Sequence, residues 1–433
     1  MSSLASASVS VLQWARLAAV LVAQISPAQW YRVRVYGMPL MFVGIAGNDT
    51  FSTFYAVLAL LFVRNPILKV LFAGSNLLLV AESLSARGIA EASLAAFMGQ
   101  LAARWKLAEK QDEMRAETFK QGISFYAASL LGWFWSPPNV ELLPNLTYVL
   151  PHEELGDSKL QRWHTLDIVR RKSGYHKRPV LIYVHGGAWT MGDKQQRTMP
   201  TCWHFAAEEN WVVLNINYRL GTKFNLYDMV VDIKRAIRWA KQNSHIHGGD
   251  SSFIAISGGS AGAHLALIAA LTPNWSDFQP GFESVDTRVR ACFAIYPPVG
   301  HVHTNQPWKK WFMEHIVQIP DDVYRSRFGR GVEDWADPSC LLARLSLQER
   351  KESVPPIFVA HGSYDAVASV RHMRSFVEEA RREGGVAIGY LELPRTPHAY
   401  DIAYTPKTMY ANWAGARALT AVHEGYQESH ISS

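Results

Sequence analysis

The chain has 433 residues, of which 48% are hydrophobic and 18% charged. That is room for one large α/β domain with a smaller module, in a composition too apolar for a disordered protein. A formal net charge of +6, with no basic stripe or recognised motif, argues against nucleic acid as a partner.

The first third is unlike the rest. Val9–Ile25 is an apolar run interrupted by Arg16, and Phe51–Val63 holds thirteen uncharged, mostly apolar residues. Arg64-Asn65-Pro66 breaks the pattern, which resumes over Ile67–Ala81 with Lys69 as its one charge. None of these runs reaches the roughly 18–20 apolar residues that cross a bilayer. No basic residue precedes the first of them, as it would in a cleavable signal peptide. Residues 1–90 carry six Lys or Arg against Asp49 and Glu82, so positive charge and apolar sequence coincide. That pairing suits a membrane surface. The expectation is a membrane-associated protein; the other reading is a cytoplasmic one whose N-terminal helices pack on the catalytic domain.

From about Leu94 to Phe125, Met98, Leu101, Leu107 and Met114 recur at helical spacing. Ser136-Pro137-Pro138 stops any helix and divides an apolar, mainly helical region, 1–138, from a domain spanning 139–433. Asn48, Asn145 and Asn274 begin glycosylation sequons, which are common by chance. Cys202, Cys292 and Cys340 are far apart and without metal spacing, and read as buried thiols.

Beyond the prolines the rhythm is strand, turn, helix. Trp163–Val169 alternates like an edge strand, whereas Val180–Val184 and Trp211–Ile216 are nearly continuous apolar runs, as in strands covered on both faces. Val230, Ile233, Ile237 and Ala240 form one stripe of an amphipathic helix over Met229–Lys241. Strands follow at Phe253–Ile256, Ala291–Tyr296, Ile357–His361 and Ala387–Leu393. This alternation implies a mainly parallel sheet with helices on both faces, which binds ligands outside the C-terminal strand ends.

Those ends carry the chemistry. Phe253–Ile256 turns through Gly258-Gly259-Ser260-Ala261-Gly262 into an Ala- and Leu-rich helix ending near Leu271. A serine at so sharp a turn is held in a strained backbone above the sheet, with a helix N-terminus behind it to favour negative charge. After Val184 comes His185-Gly186-Gly187-Ala188-Trp189. The N–H groups of Gly186 and Gly187, joined by that of Ala261, could hold an oxyanion, and loss of one such donor costs about 3 kcal/mol of transition-state stabilisation. A serine hydroxyl needs a base, and the base an acid to fix its tautomer. Ser260, Asp365 and His398 occur in the order nucleophile, acid, base, each after a predicted strand. Asp401 is the rival acid, and Asp365 is preferred for its place after a strand. His185, His264 and His361 read as braces of loops. The pairs His245/His247 and His301/His303 lack carboxylates or cysteines at ligand spacing, so no metal is expected.

At this point the chain resembles a known family. His185-Gly-Gly-Ala-Trp189-Thr-Met-Gly-Asp193-Lys194, Asn217-Tyr-Arg219-Leu220, Val231-Asp-Ile-Lys-Arg-Ala-Ile237, Gly248-Gly-Asp250 and Gly258-Gly-Ser-Ala-Gly262 look like the hormone-sensitive-lipase-type carboxylesterases. Within that family the chain is most similar to the actinobacterial lipase/esterase subgroup with an apolar N-terminal region. The resemblance covers about residues 145–425. It implies an α/β-hydrolase fold, no cofactor, and hydrolysis of carboxylic esters, lipid esters among them, by Ser260, Asp365 and His398. Ala188 replaces the family's third oxyanion-loop glycine, as in kynurenine formamidases and plant isoprenylcysteine methylesterases. Tyr218-Arg-Leu-Gly221 and Asp365-Ala-Val-Ala also depart from the family's usual runs. Amidase, formamidase, prenylcysteine methylesterase or acyltransferase chemistry on the same triad therefore stays open, and so does a non-catalytic binding protein. Residues 297–346 fall where the family inserts part of its cap, so Trp308, Trp311 and Phe312 are expected around the substrate, with Trp189 of the loop after Val184 as a further substrate contact. The aromatic cluster of that insert could equally be the cap's own small core. Acyl chain length and oligomeric state are not encoded in any of these motifs.

Overall fold

The computed structural model describes residues 66–105, 137–153, 158–174, 176–195, 200–221, 223–300, 317, 335–402 and 404–431. The chain runs through α1 (Pro66–Trp105), β1 (Val140–Thr147), β2 (Thr165–Arg171), β3 (Arg178–Val184), α2 (Pro200–Ala207) and β4 (Val212–Ile216). It continues through α3 (Leu226–Asn243), β5 (Gly249–Gly259), α4 (Ala261–Leu271), β6 (Ala291–Ile295), α5 (Pro338–Arg344) and α6 (Leu347–Ser353). The last elements are β7 (Ile357–Gly362), α7 (Val370–Glu383), β8 (Ile388–Leu393) and α8 (Pro406–Ile431). The strands form one sheet in the order β1-β2-β4-β3-β5-β6-β7-β8. From β4 to the β8 edge all neighbours are parallel, while β2 runs antiparallel to β4 and β1 antiparallel to β2.

The apolar runs are continuous because both faces of the sheet are covered. Val180, Ile182 and Val184 of β3 join Ile254 and Ile256 of β5 in a core under α3 and α4. The alternate residues, Leu181 and Tyr183 with Phe253 and Ala255, join the opposite core, shared with α1, α2 and α8. Each such aliphatic or aromatic side chain contributes about 1.5–3 kcal/mol on full burial. The amphipathic stripe of α3 lies buried as its spacing implies, and its N-terminus is closed by a reciprocal capping box between Asn225 and Asp228.

Two expectations change. Trp163–Val169 does not lie at the sheet edge: β1 pairs outside β2. Pro144 conceals β1 in the sequence, because proline removes a ladder donor and is tolerated only at an edge or bulge. Here it sits at both, in a register shift between Leu143 and Leu146 where Asn145 has φ 60°.

The second change concerns the N-terminal third. Residues 66–105 are one helix, and its later turns are part of the sheet's core rather than a separate body. Ala86, Ala90, Leu94, Phe97, Met98 and Leu101 are buried, with the Phe97 ring edge-on to Phe358 at 5.5 Å. Gly389 of β8 permits this approach, since a β-carbon there would lie 2.4 Å from the Phe358 ring. Gln100 then closes the free edge of β8, its amide donating to the Ile388 carbonyl at 3.1 Å and accepting from the Ile388 N–H at 2.9 Å. An unpaired edge invites another strand; a glutamine from α1 fills that role. Among the described residues no helix is long and apolar enough to cross a membrane.

Candidate active site

The link from β5 to α4 has no spare residue. Ser260 alone makes the turn, at φ 55° and ψ −123°, a region costly to any residue with a β-carbon. Its N–H donates to the Ile295 carbonyl of β6 at 2.9 Å, which fixes the turn to the sheet. The flanking glycines are needed for space. A β-carbon at Gly258 would lie 2.5 Å from the Val184 carbonyl oxygen, and one at Gly262 would lie 2.1 Å from it. Gly262→Ala is therefore expected to destabilise the fold by about 3 kcal/mol, read as a lower urea midpoint. An unchanged midpoint would mean that the first turn of α4 stands further from β3 than described.

Ser260, His398 and Asp365 meet. Ser260 Oγ is 2.8 Å from His398 Nε2, and His398 Nδ1 is 2.7 Å from Asp365 Oδ2. With the Nδ1 proton held by the carboxylate, Nε2 is left to accept from the serine hydroxyl. The other oxygen of Asp365 accepts the N–H groups of Val367 at 2.9 Å and Ala368 at 2.8 Å. Burial alone would raise the Asp365 pKa, but His398, His361 and the Ala368 amide together hold it below the usual carboxylate value. It thus stays an anion in a buried site. The rival acid faces elsewhere: Asp401 accepts the phenolic hydroxyl of Tyr296.

The expected oxyanion loop lies against this group. A β-carbon on Gly186 would stand 3.3 Å from that of Ser260 and 2.8 Å from the Gly259 carbonyl oxygen. Gly187 has φ 126° and accepts the amides of Thr190 and Met191 at 3.0 Å each. Ala261 is the first residue of α4, so its N–H is among those that have no carbonyl within the helix to bond. Ala188 stands at φ 50°. A glycine would occupy that position freely, whereas alanine costs about 1 kcal/mol; the substitution strains the loop without blocking it.

Sequence reasoning overlooked the anchor of this loop. Lys194 is buried and its ammonium donates at 2.6 Å to both Asp167 Oδ1 and Asn145 Oδ1. Its backbone N–H donates to Asn217 Oδ1 at 2.6 Å, and its carbonyl accepts from Asn215 Nδ2 at 2.7 Å. The signal was present as polar residues at positions of apolar strands that should be buried: Asp167 within β2 and Asn215 within β4. The expected braces are braces. His185 stacks on Tyr218 at 4.5 Å, and the Tyr218 hydroxyl donates to the His185 carbonyl. Burial lowers the His185 pKa to about 4.

Trp189 is not where it was expected. It is buried, with its indole N–H donating to His264 Nδ1 at 3.3 Å, and His264 Nε2 lies 2.8 Å from the Ala336 carbonyl. It ties the loop after β3 to α4 from within and is almost wholly buried. Trp308, Trp311 and Phe312 lie outside the described residues.

Comparison with known proteins gives this geometry a family. A family model described as BD-FAE matches residues 166–379. Esterase LipC of Mycobacterium tuberculosis is 35% identical over 291 residues, covering 66% of this chain and 69% of LipC. The chain belongs to the hormone-sensitive-lipase-type carboxylesterase family. A further carboxylesterase relative, the probable carboxylic ester hydrolase LipM of the same organism, is 34% identical over 245 residues, 57% of this chain and 54% of LipM. The chain thus spans little more than half of LipM's length. Among solved structures, esterase B from Lactobacillus rhamnosis, inhibited by a tributyrin phosphonate, superposes with a TM-score of 0.56 at 18% identity. That match covers 78% of this chain and 99% of the other, and shows a shared α/β-hydrolase fold.

Proposed function

We propose that the protein is a serine carboxylesterase. The observation that carries this reading is the continuous line Ser260 Oγ–His398 Nε2, His398 Nδ1–Asp365 Oδ2 at the ends of three strands, with Gly186 of the loop after β3 close against Ser260. In the cycle, His398 takes the Ser260 proton as Oγ attacks the ester carbonyl. The N–H groups of Gly186, Gly187 and Ala261 receive the oxyanion, and the imidazolium returns its proton to the departing alkoxide. Water, deprotonated by the same imidazole, then releases the acid. Asp365 keeps the Nδ1 proton in place and stabilises the cation. The names of LipM and LipC support ester hydrolysis as the reaction.

The test is labelling by a fluorophosphonate probe together with p-nitrophenyl esters of graded acyl length. Turnover of esters and covalent capture at Ser260 are expected. Absence of both would end the reading, while turnover of anilides or formamides in preference to esters would reassign it to an amidase.

A membrane surface is the proposed second partner, on the strength of the apolar, basic sequence before residue 90. Because α1 is part of the sheet's core, a fair deletion stops before Pro66. The full chain is expected to sediment with anionic phospholipid vesicles, and the chain starting at Pro66 to remain in solution. Equal partitioning of the two would refute the proposal.

A further inference from the structure

Close to the nucleophile turn lies a second carboxylate that the cycle above does not use. Asp401 is fully buried. It occupies the short turn Tyr400–Ile402 that follows His398. A β-carbon on Gly259 would lie 3.4 Å from its Oδ2, so it sits directly under the turn that holds Ser260. Its Oδ1 accepts the Tyr296 hydroxyl, and its Oδ2 has no hydrogen-bond partner among the described residues. No described lysine or arginine forms an ion pair with it. Tyr296 in turn lays its ring against the His398 imidazole, centroids 4.6 Å apart. It is itself held at φ 42° by the end of β6, with its N–H on the Ala360 carbonyl at 2.7 Å.

A polar chain of this kind needs a reason, because a buried carboxylate with one oxygen unbonded lowers the stability of the fold. A structural role would be better filled by asparagine or leucine. What a carboxylate adds at this place is charge: the imidazole that becomes cationic during the reaction lies beside the tyrosine that Asp401 holds. Resting on the carboxylesterase reading, we propose that Asp401 is a positioning residue for His398. Through Tyr296 it fixes the imidazole ring, and as a second, non-contacting anion it favours the imidazolium.

The groups facing this pair are few. Tyr183 of β3 and Cys202 of α2 approach Asp401 from the opposite core, and Tyr400 adjoins it in the same turn; all three are buried and held neutral, with pKa values raised by burial and by the Asp401 charge. Asp365 and His361 face His398 from the end of β7. Burial raises the Asp401 pKa to about 6, against the pull of the Tyr296 hydrogen bond and of His398. The folded protein therefore binds a proton between about pH 4 and 6 that the unfolded chain does not, and the stability this group contributes falls as pH rises through that window.

Function and stability thus pull in opposite directions, and this separates the proposal from a packing role. Asp401→Asn keeps the shape and the acceptor for Tyr296 but removes the charge. It is expected to lower kcat about tenfold with KM unchanged, since the lost attraction belongs to the imidazolium. The acid limb of the kcat/KM profile should move to lower pH, because an imidazole without the second anion is less basic. At pH 8 its Tm should equal or exceed that of the wild type. Tyr296→Phe keeps the charge but removes the hydrogen bond that fixes the ring and holds the Asp401 pKa down, so its kcat should lie between those of the wild type and Asp401→Asn near pH 9 and approach that of Asp401→Asn near pH 6. The rate of fluorophosphonate labelling across pH reads Ser260 activation without reference to a particular substrate. Wild-type protein that never labels would sink the hydrolase reading itself. Labelling wild type with Asp401→Asn of the same kcat and acid limb would overturn this inference alone, as would a loss of activity matched by a lower Tm at pH 8. If Asp401→Asn does not fold, a Tyr296→Phe profile parallel to the wild type at every pH refutes the proposal.

Discussion

Ser260→Ala is expected to reduce ester turnover by about 10⁴-fold or more, leaving only what the oxyanion amides and substrate binding supply. The expected size follows from how the cycle divides. Without Oγ there is no acyl-enzyme, and water would have to attack the ester directly. The substitution should leave Tm nearly unchanged, because alanine keeps the β-carbon in the same backbone conformation at φ 55°. A variant that is folded, does not label, and yet turns over p-nitrophenyl acetate at the wild-type rate would assign the chemistry to another part of the protein.

Asp365→Asn is the second large effect, about 10⁴-fold in kcat, and the surrounding amides explain why. Oδ1 of this residue accepts from Val367 and Ala368, so an asparagine keeps its carbonyl oxygen there and turns its NH2 toward His398 Nδ1. That nitrogen must then accept, which places the imidazole proton on Nε2, facing Ser260. The base is lost although every atom remains near its place. Asp401→Asn, which touches neither ring nitrogen, should cost about a thousandfold less, and this ranking of the two carboxylates is measurable in one set of kinetics. Stability should respond as well. The Asp365 pKa is depressed in the fold, so its contribution is present above the ordinary carboxylate pKa and disappears as pH falls through the lower folded value. The wild type should therefore lose part of its Tm advantage over Asp365→Asn on acidification. An Asp365→Asn enzyme with more than a tenth of wild-type kcat would show that another group orients His398.

Which side chains meet was legible because each follows a strand. Once Phe253–Ile256, Ile357–His361 and Ala387–Leu393 are read as parallel neighbours, the residues after them lie at one edge of the sheet, and Ser260, Asp365 and His398 come together with little freedom left. Strand β1 was not legible, because Pro144 contradicts the local pattern and only pairing with β2 makes it a strand. The burial of Trp189 was hidden for a similar reason: its neighbours His264 and Ala336 lie 75 and 72 residues apart along the chain from their partners.

By itself the sequence determined the layered α/β architecture, the turn at Ser260 and the order of the reacting groups, since these depend on side-chain periodicity and on glycines next to one another in the chain. Tertiary structure alone decided that α1 belongs to the core of the sheet, that Lys194 anchors the loop after β3, and that Asp401 faces Tyr296. Place after a strand favours Asp365 over Asp401 as the acid in the sequence, but nothing there says what Asp401 does instead. Its pairing with the Tyr296 hydroxyl is directional and effective over about 3 Å, and is settled only when the strands are in register.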